Sequence, residues 1–122
     1  MNFKDVVETV TGYRDPQIAR QAMLEKVQHT REAFQNPENA HADDSWIKRD
    51  AGHVAFGPTR PDGQQLVIGG QATSFWNERE FLAVLDAFED AIRSGEMDNQ
   101  LLGETPAGAS LPRERLEPRD IV

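Results

Sequence analysis

The sequence predicts an α+β domain: two N-terminal helices, a small antiparallel three-stranded meander, a long C-terminal amphipathic helix packed on the sheet, and a disordered C-terminal tail. Three observations carry this expectation. Apolar residues recur at helical spacing before residue 36 and again from Phe81 to Ile92, while short apolar runs divided by glycine-bearing turns fill the middle. Beyond Glu96, proline, glycine and charge replace any periodicity. The 122 residues suffice for one hydrophobic core, so a single domain is expected over 1–96 and a flexible tail over 97–122.

The elements follow in order. From Asn2 to about Tyr13, Phe3, Val6, Val7 and Val10 are spaced for a short helix. In "RDPQIARQ", Asp15 is placed to cap a second helix and Pro16 to occupy its first position, where a missing amide hydrogen costs nothing. That helix is expected over about 17–35, with Ala19, Met23, Val27 and Phe34 on one stripe flanked by Ile18, Ala22 and Leu24. Pro37 ends it, and "NPENAHADDS" reads as an exposed acidic loop.

Three short runs, "SWIKR", "HVAFGPTR" and "QQLVIGG", are expected to form the meander. The link between the last two is the better specified, because Pro61 presets a turn while Asp62 and Gly63 tolerate positive backbone angles. Pro58 cannot donate to a ladder, so the middle strand ends, bulges or faces an open edge near it. The last helix has the fullest start signal: Asn77 as cap, Glu80 three residues on, and Trp76 placed to pack on Phe81. Phe81, Val84, Leu85, Phe88 and Ile92 share its apolar face, and Gly95 in "RSGE" stops it. In the tail, Leu101 and Leu102 are candidates to dock, and "LPRERLEPRDIV" is either solvated or a peptide that orders on a partner.

Composition excludes several classes. With no cysteine, disulfide scaffolds, thiolate metal sites and cysteine nucleophiles are ruled out. The start "MNFKDVVETV" carries Lys4, Asp5 and Glu8 where a signal peptide needs an apolar core, and no run is long enough to span a membrane. A cytoplasmic protein of bacterial type, without membrane contact, is the expectation. The formal net charge is -8, more than half of it on residues 78–99. Sequence-independent phosphate binding needs clustered lysine and arginine, so this balance disfavours a general nucleic-acid coat.

The candidate chemistry is sparse. His29, His41 and His53 are not spaced as a metal pair. "HADD" does place His41 near Asp43 and Asp44, a set suited to a divalent cation, although an acidic surface loop explains it as well. Around Ser45 and Ser74 no motif supplies a base. "IGGQ" lacks both a Walker lysine and the third glycine of a dinucleotide fingerprint, so it is expected as a strand-end bend that carries the chain from sheet to helix. Asp86, Glu89 and Asp90 fall on one helix face; they suit a docking patch for a basic partner or a solvated face better than acid–base catalysis. No cofactor is expected.

The span "VAFGPTRPDGQQLVIGGQATSFWNEREFLAVLDAFEDAI", about a third of the chain, resembles the PC4-like coactivators and the Pur-alpha repeats in element order and in its "DG" hairpin. That resemblance implies a single-stranded nucleic-acid surface on the sheet, with Lys48, Arg49 and Arg60 on phosphates and Trp46 or Phe56 stacking on bases. The alternative places both aromatics in the core. In composition, an acidic helix beside a compact sheet resembles small bacterial accessory proteins such as secretion chaperones and inhibitors that hold a basic or partly unfolded partner. The leading expectation is accordingly a small acidic, non-enzymatic binding protein, a homodimer formed through sheet edges or an uncovered sheet face. Nucleic-acid binding is the first alternative, and a metal-dependent enzyme using the His41 loop the second.

Overall fold

The computed structural model describes residues 15–36, 38, 46–103 and 110–118. The helix expected over 2–13 and the His41, Asp43 and Asp44 cluster lie outside them. Within the described residues the architecture is α+β, with a three-stranded antiparallel sheet and helices packed on it. No helix there is long and apolar enough to cross a membrane.

Helix α1, Pro16–Gln35, starts as its sequence dictates: the Asp15 side chain accepts a hydrogen bond from the Gln17 amide at 2.9 Å, and Pro16 opens the first turn. It buries Ala19, Met23, Val27, Thr30, Ala33 and Phe34. Thr30 stands out among them, since its hydroxyl is fully buried with no hydrogen-bond partner among the described residues. Leaving such a group unsatisfied costs about 1–3 kcal/mol, whereas valine keeps the shape without the hydroxyl. Thr30→Val is therefore expected to stabilise the protein by about 1 kcal/mol, read as a raised urea midpoint at unchanged slope.

Strands β1 (Ile47–Asp50) and β2 (His53–Phe56) form a hairpin in which Asp50 faces His53. Ala51 and Gly52 bridge the two-residue turn at φ 49° and 84°, the left-handed angles that match strand twist. The third strand is β3, Ser74–Asn77, and not the "QQLVIGG" run. The physical reason lies in two turns. The Pro61 reversal forms as expected, with the Asp62 carboxylate accepting from the Gln64 amide at 3.0 Å and Gly63 at φ 87°. Its arms, however, pair only through one isolated bridge, Thr59 with Gln65, made by the Arg60 amide to the Gln64 carbonyl at 2.6 Å and the Leu66 amide to the Pro58 carbonyl at 2.9 Å, because β2 stops at Phe56 before the proline. A second tight turn at Gly69–Gly70, closed by reciprocal bonds between Ile68 and Gln71 at 2.9 and 3.1 Å, then sends the chain back towards the sheet. The glycine pair is thus a hairpin turn within the sheet region, and the passage to the helix lies at Asn77. The run before it still contributes Leu66 and Ile68 to the core.

Asn77 accepts from the Arg79 amide at 2.9 Å and so caps a single 3-10 turn, Glu78–Glu80, from which helix α2, Phe81–Arg93, grows. Glu80 is exposed, and Trp76, expected before the cap to pack on Phe81, is a buried member of β3 opposite Val54. The five expected apolar residues of α2 are all buried, together with Ala91. They meet β2 and α1 in an aromatic cluster: Phe56 lies edge-on to Phe81 and Phe88 at 5.4 and 5.3 Å between centroids, Phe88 to Trp46 at 5.9 Å, and Phe34 tilts against Phe81 at 5.1 Å.

The described residues after Gly95, which sits at φ 86° as a helix stop, return to the core. A short helix α3, Asp98–Leu101, packs on α1, burying Met97 and Leu101. Residues 110–118 return with Leu111 and Leu116 in the same core as the aromatic cluster. A boundary at residue 96 would divide that core. The proline and charge content that suggested a tail instead reflects a strap, held by two leucines and by arginines on the surface.

Candidate functional site

The acidic face of α2 is built as the spacing implies, but the chain's own arginines occupy it. Arg31 from α1 donates to Asp86 at 2.7 Å and lies 3.6 Å from Glu89. Arg93 lies 3.7 Å from Glu89. Arg115, from the returning segment, donates to Asp90 at 2.7 Å and to Glu96 at 2.9 Å. These bonds, first to Glu96 and then to Asp90, raise the Arg115 pKa above its ordinary value. Such partly exposed pairs add little to stability, though they orient the segment that bears the arginine.

That segment crosses a groove between the 66–70 run, β3 and α2. The Leu111 amide donates to the Val67 carbonyl at 3.1 Å, and the Gly69 amide to the Leu111 carbonyl at 2.8 Å. The Gly70 amide reaches the Ser110 hydroxyl at 3.2 Å. Arg113 lays its guanidinium 3.8 Å from the centre of the Trp76 ring and donates to the Phe75 carbonyl at 2.8 Å. Leu111 and Leu116 fill sockets below. The spacing of two leucines and two arginines in "LPRERL" was visible, but the residues that receive them are distant in sequence.

Of the residues that the nucleic-acid resemblance singles out, Trp46 and Phe56 meet edge-on at 6.1 Å between centroids, but inside the core. Trp46 and Phe56 are buried, and Trp46 donates from its indole to the Thr59 hydroxyl at 3.1 Å, so neither ring offers a face to a base. Arg49 stacks 4.4 Å above the Phe34 ring, donates to the Phe34 carbonyl and lies 3.9 Å from Glu78. Arg60 grips Asp62 through two bonds, at 3.1 and 2.7 Å. Lys48 and Arg49 are both exposed on the strand, but Arg49 is held by Phe34 and Glu78. Among the described residues these side chains form no basic face.

Among the described residues the aromatic that faces outward is Phe75, 61% exposed. Side chains alternate along a strand, so with Ser74 and Trp76 buried, Phe75 and Asn77 point to the other side. The register carries this across the sheet: Lys48, Ala55 and Phe75 form one row, Asp50, His53 and Asn77 the next. The alternation in "ATSFWN" was the signal for this face, and it was obscured because the segment also carries a helix cap.

Elsewhere the ionisable groups serve structure. Arg20 donates to Asp98 through Nε at 2.9 Å and joins α1 to α3. That hydrogen bond, assisted by the guanidinium charge and opposed by partial burial, holds the Asp98 pKa below its ordinary value. A carboxylate depressed in the folded state contributes stability above its unfolded pKa and loses it as pH falls through the folded one. Asp98→Asn should therefore cost stability at neutral pH and nothing in strong acid; urea midpoints of the two chains are expected to converge as pH drops below the carboxylate range. Among the described residues no three histidine, aspartate or glutamate side chains group as metal ligands. A cleft between α1 and the Pro61 turn, lined by Lys26, His29 and Arg60, has its arginine already engaged by Asp62.

Comparison with known proteins finds no counterpart: no family model, no curated protein and no solved structure matches the chain. The fold and site therefore define a class by architecture, an α+β domain whose three-stranded meander carries helices on one face and whose chain returns across an acidic helix.

Proposed function

We propose that this is a small acidic, non-enzymatic binding protein that acts through protein–protein contacts and pairs with a second copy through the outer face of its sheet. The observation that carries the proposal is Phe75, exposed in a row with Ala55 and the stem of Lys48 on a face opposite the core. Charge favours a second copy as the occupant. In a chain of net charge -8, this face mixes Lys48 with Asp50, so two copies repel least there. A two-fold axis also lets Lys48 of each copy meet Asp50 of the other.

Sedimentation analysis of the wild-type chain and of Phe75→Ser tests this. A wild-type dimer that becomes a monomer in the variant, with unchanged circular dichroism and urea midpoint, is expected. A wild-type monomer at the same concentrations, or a dimer indifferent to Phe75→Ser, would overturn the pairing. The nucleic-acid alternative loses its stacking residues to the core, and the metal alternative rests on residues outside the described ones.

A further inference from the structure

We propose that the groove holding residues 110–118 is a peptide-binding site, closed here by the chain's own strap, which takes a segment of another protein that pairs as a strand and then turns through one 3-10 turn, with leucines five residues apart and arginines two and four residues after the first. The strap shows the chemistry of that ligand because it is held as a peptide is held. Its main chain adds to the 67–69 run through the Leu111 and Gly69 bonds of 3.1 and 2.8 Å. Its two leucines enter sockets, Arg113 covers Trp76, and Arg115 reaches Asp90 and Glu96. All these contacts fall within nine residues. On the strap's side they are made by residues 110–118 themselves, so an identical segment can make the same contacts without the tether.

The tether decides who competes. A strap that belongs to the same chain acts at an effective concentration on the order of millimolar, which sets the threshold that a separate ligand must exceed. A second copy meets that threshold poorly, since its own strap must also leave a groove. A partner whose segment is already free gives up no such contact, and Asp90 and Glu96 attract its second arginine. This surface adjoins the outer sheet face at Arg113, which bonds the Phe75 carbonyl, but its leucine sockets lie in the core, and the two proposals have different readouts, peptide binding for one and oligomeric state for the other, so each can fail alone.

The test uses the full chain and a fluorescent synthetic peptide of residues 109–119. Leu116→Ala empties one socket of the tethered strap, and Arg113→Ala loosens it while leaving both leucines in place. Circular dichroism identifies which variant remains folded. The wild-type peptide is expected to bind a folded strap variant about tenfold or more tightly than the wild-type chain, as the tethered competitor weakens. Peptide with Arg115→Glu should bind at least about tenfold more weakly, through repulsion by Asp90 and Glu96. Absence of binding to both variants, or equal binding of a scrambled peptide, would sink the proposal. So would conversion of a wild-type dimer to monomer on adding the peptide, which identifies the strap of a second copy as the natural occupant.

Discussion

Leu116→Ala is expected to destabilise the protein by about 2–4 kcal/mol in urea unfolding, the range for emptying a buried leucine site that cannot fully collapse. The residue lies in a proline- and charge-rich stretch near the end of the chain, where a substitution in a solvated tail would change stability by about 0.5 kcal/mol or less. Leu116 is instead fully buried and joins the cluster formed by α1, the sheet and α2. The loss is bounded by what the strap itself contributes, because a sufficiently weakened strap detaches and leaves the remaining domain to bear the load. Hydrogen exchange separates the two regimes: the amides of Gly69 and Leu111, bonded across the strap, should lose protection in the variant before those of α2 do. A change within the surface range would show that residues 110–118 do not hold the fold.

The second large effect is expected at Gly69. Its φ of 59° is left-handed, and a Cβ placed there would lie 2.9 Å from Cβ of Arg113. Its neighbour Gly70 has φ 81° with nothing within 4 Å of such a Cβ. Gly70→Ala thus measures the conformational cost alone, about 1 kcal/mol, whereas Gly69→Ala adds displacement of the strap for a total of about 2–3 kcal/mol. Equal losses at the two positions would mean that the strap does not press on the turn. Because Gly69→Ala and Leu116→Ala both act on one segment, the double variant should lose less than the sum of the two, once the strap has been released. That coupling is measurable from three urea curves and the wild type.

These effects also mark where sequence reasoning reached and where it stopped. Asp15 and Pro16 start α1, Asn77 caps the turn before α2, and Gly95 stops that helix, each through contacts within a few residues. The buried stripes of both helices followed from spacing for the same reason: a helix repeats its face every turn, whatever it packs against. The third strand did not follow. "QQLVIGG" and "TSFWN" both suit a strand, and the choice between them depended on a proline that ends β2 and on a glycine turn whose tightness serves a segment forty residues later. The acidic residues of α2 were legible as a docking face, but their partners were not, because Arg31 and Arg115 come from opposite ends of the described chain.

The sequence by itself determined the α+β class, the limits and apolar faces of the two long helices, and the sites of the turns, since caps, periodicity and left-handed glycines act over one or two turns of chain. Only the tertiary structure decided that Ser74–Asn77 completes the sheet, that Phe75 faces outward while Trp46 and Phe56 are buried, and that Leu111 and Leu116 belong to the core. Those outcomes rest on which distant surfaces fill one another, and a leucine among charges has the same local appearance whether its socket exists or not.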